Sequence, residues 1–390
     1  MSCTRREDVL PFHRPFIGDE EIAEVTDTLK SGWLTMGPKT VRFEEKFAAA
    51  VGAEHAVAVS SCTAGLHLSI EALGLEPGDE VITSPYTFPS TIAAIAYAGA
   101  TPVLVDTLED FPNIDPSAVR EAVTDRTRAI VPIHFSGAPC DLDALSAIAE
   151  DCGAEIVEDA AHAVGARYKG RPIGSIGRAT VFSLYAGKNI TSGEGGVVTT
   201  DDAELAARLR MTRLHGISRD AWKRYTAEGS WYYEVEERGY KYNLTDINAA
   251  IAIHQLDRLE AWQRRRYELT GLYDEELADV PGLILPRPPE YGETSWHLYV
   301  VRLDPQVVAA TRSDVIEMLR ADNISTSVHF IPAHRHRHFQ ERFGFTPDQC
   351  PNAFRLYEQS ISMPLFPIMS DDDVRSVTRS LRRIATENAR

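Results

Sequence analysis

The feature that most constrains this chain is a sustained alternation. Between His55 and Glu158, short apolar segments at 56–60 (AVAVS), 80–84 (EVITS), 102–106 (PVLVD), 128–134 (RAIVPIH) and 155–158 (EIVE) alternate with segments of helical period at 64–73, 89–98, 115–123 and 141–151. Strands that are apolar on both faces, each followed by a helix, are what a parallel sheet covered on both sides requires. The fold class is therefore α/β, with a mostly parallel sheet in a large domain. In such sheets ligands lie beyond the carboxyl ends of the strands, so chemistry is to be sought in the loops that follow them.

Before the alternation, Asp19–Lys30 carries Ile22, Val25 and Leu29 at helical spacing with acidic residues at its start, where the helix dipole favours them. A Gly/Pro-punctuated loop, residues 32–39 (GWLTMGPK), leads to a second helix at 42–51. After the alternation, a helix at 202–211 precedes a polar, aromatic segment, residues 215–243, which reads as a long excursion. A helix of about twenty residues then starts at Thr245, a suitable N-cap, and ends in arginines. Beyond a Pro-rich break (LPRPPEYGETS) come a strand at 296–303 and a second set of elements closing in a helix at 371–386. The domain boundary is placed in the long helix, giving a large domain of residues 1–255 and a smaller C-terminal α+β domain of 256–390.

Composition narrows the partners. A formal charge of −17 argues against a nucleic-acid or acidic-membrane surface, which would need a basic face to displace counterions. The five cysteines (Cys3, Cys62, Cys140, Cys152, Cys350) are scattered without a CxxC pair, so neither a disulfide framework nor a zinc site is indicated. No apolar run approaches the ~20 residues of a membrane span, and the polar start MSCTRREDVLPF lacks the apolar region of a signal peptide. A cytoplasmic protein is expected.

One stretch stands out chemically: Ala179–Thr200 (ATVFSLYAGKNITSGEGGVVTT) places Lys188 between two apolar strands and beside a Gly-rich turn. Burial disfavours an ammonium, which makes the neutral amine and hence a Schiff base accessible, the requirement of a pyridoxal phosphate lysine. A structural lysine flanking a strand satisfies the same residues. The loops after the other strands supply companions. Ser61, Thr63, Ala64 and Gly65 lead directly into a helix whose free N–H groups suit a phosphate, although an ordinary capped helix looks the same. SPYTFPST brings Tyr86 and Phe88 to the same edge, where an aromatic face can stack on a flat ring. EDAAHA brings Asp159 and His162, and a carboxylate there can pair with a pyridinium nitrogen and keep it protonated. Phosphate loop, aromatic, carboxylate and lysine thus follow in chain order at successive strand ends.

With these motifs the chain resembles the DegT/DnrJ/EryC1/StrS family of sugar aminotransferases, which have fold type I, the aspartate aminotransferase-like architecture of pyridoxal phosphate (PLP) enzymes. The resemblance runs from LPFHRPFIGDEEI through SGWLTMGP, SSCTAGLHLSIEALGL, GDEVITSPYTFPST, HFSGAPCDLDA, EDAAHAVGARYKG, GKNITSGEGG and GYKYNLTDINAAIAIHQL to SMPLFP. It implies that Lys188 carries the cofactor and moves the proton, that Asp159 pairs with the pyridine nitrogen, and that Phe88 stacks on the ring. It further implies that Thr63 and Ala64 bind the phosphate, that Ser183 adds a hydroxyl and that His162 lies beside the ring. Asn243, in YKYNLTD, matches a residue that reaches the phosphate from the neighbouring subunit, which implies a homodimer with composite active sites.

Family members that dehydrate carry His at the lysine position, so Lys188 favours transamination. The turn NITSGEGG resembles enzymes that aminate C4 of a nucleotide-linked 4-keto sugar, whether a UDP-4-keto-pentose or a dTDP-4-keto-6-deoxyhexose, with L-glutamate as amino donor. Tyr185-Ala-Gly before the lysine is closer to the C3-aminating type. The rival readings are C3 transamination or dehydration on the same fold, and a PLP-fold sensor without turnover. His334, His336 and His338 alternate with Arg335 and Arg337 and would share one face of an extended segment. Interleaved guanidiniums disfavour a metal there and suit the diphosphate of a nucleotide sugar instead; no metal is expected. His329 and His215 are further candidates for the substrate pocket.

Overall fold

The structure is a computed structural model that describes residues 5–217 and 233–390. The central part of the 215–243 excursion and Cys3 lie outside the described residues. Five strands follow the order read from the alternation: β1 (His55–Val59), β2 (Glu80–Thr83), β3 (Thr101–Leu104), β4 (Thr127–Val131) and β5 (Glu155–Asp159). A small hairpin, β6 (Arg167–Tyr168) and β7 (Arg171–Pro172), precedes β8 (Ala179–Ser183) and β9 (Gly196–Thr200). Seven of them form one sheet in the order β1-β9-β8-β5-β4-β2-β3. β2, β3, β4, β5 and β8 pair in parallel, and β9 runs antiparallel to both β1 and β8. β9 runs back directly from β8 through the Lys188 turn, which contains no helix to carry the chain across for a parallel return.

Preceding and between the strands run α1 (Asp19–Ser31), α2 (Pro38–Val51), α3 (Cys62–Glu71), α4 (Pro89–Tyr97), α5 (Pro116–Ala122) and α6 (Leu142–Cys152), with α7 (Ala203–Thr212) after β9. Side-chain oxygens start several of them: Ser61 caps α3, Asp141 caps α6 and Asp202 caps α7. The sheet is buried on both faces. One apolar cluster joins Val57, Val59, Val81, Val157 and Val181 to Leu66, Leu68, Ile70 and Leu209, and another joins Phe182, Ala58 and Val197 to Phe43, Phe47 and Ile253.

The long helix α8 (Asp246–Leu277) is capped by Thr245 as read, and runs 32 residues. Its first half (Ala249, Ala252, Ile253, Leu256) belongs to the core of the large sheet, and its second half (Leu269, Tyr273, Leu277) to a separate core. The arginines therefore mark the passage from one core to the other and not the helix end. The second core packs α8 against a three-stranded antiparallel sheet of β10 (Leu283–Ile284), β12 (Tyr299–Leu303) and β13 (Ser360–Met363), together with α9 (Arg312–Ala321) and α12 (Asp371–Glu387). The two-residue β11 (Gly292–Glu293) pairs with β6 instead, and α10 (Arg337–Phe343) and α11 (Pro351–Gln359) lie between α9 and β13 in the chain.

The residues that marked α1 as a helix are not those it buries. Ile22 and Leu29 are exposed, whereas Glu21 and Thr28 are buried. Glu21 closes a capping box on the Gly18 amide and is held by Gln255 and Arg258 of α8, so this helix docks through a carboxylate. Among the described residues no helix is long and apolar enough to cross a membrane.

Candidate active site

Because β1, β2, β4, β5 and β8 point the same way, their carboxyl ends share one edge, and a cavity of about 870 Å³ opens there. Its wall includes Thr63, Phe88, Asp159, His162, Ser183 and Lys188, six of the residues anticipated from the sequence.

Asp159 is the last residue of β5. Its N–H donates to Pro132 O (2.9 Å) and its carbonyl accepts from His134 N (3.1 Å), which fixes the backbone on the side of β4. Its Oδ2 accepts from Thr91 Oγ1 (2.7 Å) and its Oδ1 from Ala161 N (3.1 Å). Both bonds come from neutral donors. Burial raises the carboxyl above its ordinary value; Thr91, the Ala161 amide and the Lys188 charge act in the opposite direction. Glu158, one residue earlier, faces away into the interior, as alternation in a strand demands. Its Oε1 accepts from Gly177 N and Thr180 Oγ1 and its Oε2 from His134 Nε2, so it is a structural carboxylate.

Lys188 sits in the β8–β9 turn, which is closed by Leu184 N donating to Gly195 O (2.9 Å) and Ser192 N to Leu184 O (3.0 Å). Lys188 N donates to Tyr185 O (2.9 Å), so the turn folds the lysine back over the sheet edge. Burial lowers its ammonium from 10.5 to about 8, with the Asp159 charge opposing. Ser183 ends β8, and its Oγ accepts from Tyr185 N at 3.4 Å.

At the end of β1, Ser61 Oγ accepts from Ala64 N (3.1 Å) and Ser61 O from Gly65 N. The Cys62 and Thr63 amides, in the first turn of α3, have no intrahelical acceptor and face the anion-favouring end of the dipole. Ala64 itself is buried and off the wall, its N–H already taken by the cap. Gly196 lies so close that an added Cβ would come within 2.6 Å of the Ser61 carbonyl carbon and 2.7 Å of Cys62 N.

The two aromatics of SPYTFPST separate. Tyr86 is fully buried against Phe135 (5.1 Å, edge-on) and is core, whereas Phe88, the N-cap residue of α4, is 60% exposed and faces the cavity, 6.0 Å from the Phe330 ring. Asn243 is outside the wall of its own chain's cavity: it bridges to Val59, its Oδ1 accepts from Lys241 Nζ and its Nδ2 donates to Leu244 O (3.2 Å).

Of the other histidines, His329 lines the cavity and His215 is exposed away from it. The His334–His338 segment is not extended. A short 3-10 turn, Ala333–Arg335, runs into α10, which scatters the imidazoles: His334 is buried, His338 is exposed and none lines the cavity. Among the described residues no three metal-ligating side chains stand together.

Much of the opposite wall carries no motif in the sequence. Phe12 and His13 come from the N-terminal segment, His297 from the approach to β12 and Phe330 from the loop after α9. Burial holds His13 and His329 at about 4 and pushes His162 and His297 well below 6.5. All four imidazoles are therefore neutral near pH 7. Lys188 is the cation of the described wall, against Asp159 and Glu194.

The model of the DegT/DnrJ/EryC1/StrS aminotransferase family matches residues 15–382. The chain belongs to this family. It is 53% identical over 381 residues to the spore coat polysaccharide biosynthesis protein SpsC of Bacillus subtilis (strain 168), covering 97% of this chain and 98% of that one. Among solved structures, the Streptococcus pneumoniae sugar aminotransferase candidate Spr1654 in its PMP form superposes with a TM-score of 0.91 at 33% identity, over 97% of this chain and 99% of that one. DesI in the presence of its TDP-sugar product gives 0.86 at 34% identity, over 98% and 94%. The chain is a PLP-dependent sugar aminotransferase of fold type I. The site fits that cofactor: a half-buried lysine whose ammonium is disfavoured by desolvation, a carboxylate bonded only to neutral donors, and an open helix start facing a glycine.

Proposed function

We propose that the enzyme transfers an amino group from L-glutamate to C4 of a nucleotide-linked 4-keto sugar, a dTDP-4-keto-6-deoxyhexose or a UDP-4-keto-pentose, for natural-product or cell-surface glycan biosynthesis. The observation that carries this reading is the meeting of Lys188, from the turn after β8, and Asp159, from the end of the adjacent β5, in one cavity with Phe88 on its wall. The sugar character of the substrate is supported by the TDP-sugar product in the DesI structure and by the polysaccharide role in the name of SpsC.

When bound, PLP supplies an electron sink. Nζ of Lys188, lowered to about 8, can release and regain a proton near neutral pH, as a group that moves it from the amine-bearing carbon must. Asp159 would pair with the ring nitrogen and keep its proton there. Phe88 would hold the ring by stacking, His162 would be its neighbour on the wall, and Thr63, the capped Ala64 turn and Ser183 would hold the phosphate. Asn243 serves the cavity of a neighbouring copy in a homodimer. A described wall with Lys188 as its cation supports that part of the reading, because phosphate, glutamate and nucleotide diphosphate all call for positive charge. The division into residues 1–255 and 256–390 and a cytoplasmic location belong to the same proposal; the change of core between Leu256 and Leu269 of α8 supports the division.

The test is a panel of UDP- and dTDP-linked keto sugars with L-glutamate, the position of the new amine being read by NMR. A 4-amino product is expected. A 3-amino product would transfer the assignment to the reading that Tyr185, on the cavity wall, favours. No product from any sugar, with the glutamate half-reaction also silent, would support a sensor.

A further inference from the structure

Next to Lys188 lies a hydrogen-bond network that these roles do not use. Asn189 donates from Nδ2 to Ser295 O at 3.0 Å. This bond fixes the amide, since the flipped orientation would set two oxygens against each other. Asn189 Oδ1 is therefore an acceptor, and it lies 3.1 Å from His297 Nδ1. The proton of His297 sits on Nδ1, and Nε2 is left as a bare lone pair. His162 is set the opposite way: its Nδ1 accepts from Ser136 N at 3.2 Å, which leaves its proton on Nε2. The two ring centroids are 4.3 Å apart, and both rings line the cavity.

The arrangement is anchored by backbone. His297 N donates to Ser136 O (2.8 Å), Ser295 N donates to Gly137 O (3.0 Å), and Ser295 Oγ donates to His162 O (2.6 Å). The ionisable groups that face His297 are His162, Lys188, Arg266 and His329. Burial and these four basic groups all act against an imidazolium at His297, and Asp159 and Glu194 are the carboxylates of the same described cavity wall.

We propose that His297, its tautomer locked by Asn189, is a specificity-determining residue that presents a fixed hydrogen-bond acceptor beside Lys188 to a hydroxyl of the bound sugar, with Asn189 as the positioning residue. This rests on the keto-sugar reading above. An acceptor locked in place rejects groups that can only accept, such as carboxylate and phosphate oxygens, and selects O–H. Of the two substrates, the keto sugar is the one that brings hydroxyls.

The lock is read without substrate, by NMR of the PLP-loaded protein labelled at histidine, with the His297 signals assigned by their loss in His297→Gln. The parent should show Nδ1–H and no titration between about pH 5.5 and 8, where an unperturbed imidazole titrates. Asn189→Leu should mix the tautomers. Asn189→Asp should bring the titration into that range, because its carboxylate stabilises the imidazolium. An Nε2–H tautomer in the parent, or unchanged signals in both variants, overturns the lock. The hydroxyl assignment is read from the half-reactions. Asn189→Leu should lose about tenfold more in kcat/KM for the keto sugar than for L-glutamate, the size of one hydrogen bond. In Asn189→Asp the sugar KM should rise as pH falls. Equal losses in the two half-reactions, or a larger loss with glutamate, overturn the assignment. A parent enzyme that aminates no keto sugar overturns both the functional reading and the hydroxyl assignment, while the spectra still decide the lock.

Discussion

Replacing Lys188 by methionine in the cofactor-free protein should make it more stable at neutral pH while abolishing turnover. Burial moves the Lys188 ammonium from 10.5 to about 8, and that figure already contains its attraction to Asp159. At about 1.4 kcal/mol per pH unit, the folded state carries up to roughly 3 kcal/mol of unfavourable free energy at pH 7, with water in the open cavity acting to lessen it. The sign follows from proton counting. Between about pH 8 and 10.5 the unfolded chain holds more protons at this lysine than the folded one, so stability rises with pH across that window and the penalty is fully present below it. Urea unfolding of the apo-protein and of Lys188→Met at a series of pH values measures this directly. The variant should be the more stable at pH 7, and the gap should close as pH rises towards 10.5. A variant less stable than its parent at pH 7, or a gap that does not change with pH, would show that desolvation in the cavity does not disfavour the Lys188 ammonium.

Asp159→Asn should still take up PLP but lose turnover by about a hundredfold or more, since an amide holds no charge against the ring nitrogen; near-normal kcat would remove Asp159 from its role. Thr91→Val deletes the hydroxyl that donates to Asp159 Oδ2. The ionised carboxylate loses support, its pKa rises further, and the acid limb of the kcat/KM profile should move to higher pH; an unmoved limb would contradict this. Gly196→Ala places a Cβ within 2.6 Å of the Ser61 backbone and should displace the start of α3, weakening PLP binding by about tenfold or more; unchanged affinity in a spectroscopic titration would show that the phosphate lies elsewhere.

What was legible in the sequence was what local chemistry writes there. Residues at strand ends are announced by the strand itself, which is how Asp159 after β5 and Lys188 between β8 and β9 stand out, whereas Ser183 is marked only by the family resemblance. Residues whose place depends on tertiary contact were not. Thr91 bonds Asp159 across sixty-eight positions, and nothing in PSTIAAIA separates its hydroxyl from any other near a helix start. His297 stands where a polar stretch gives way to the apolar β12, a signal that could have drawn notice, but its tautomer is set by Asn189 from 108 residues away. The exposed Ile22 and Leu29 of α1 and the scattered His334–His338 segment show the converse. In α1 the periodicity does mark a helix, but the buried Glu21 sets the face that docks, and in the histidine segment the turn at Ala333–Arg335 replaces the extended face that alternation implies.

Lys188 is proposed to hold the cofactor in the cavity it shares with Asp159, and borohydride reduction of the PLP-loaded protein, followed by proteolysis and mass spectrometry, tests that attachment. The pyridoxyl label should be found on the peptide containing Lys188 and should disappear in Lys188→Met. A label on another lysine, or none on a protein that has bound PLP, would contradict the account.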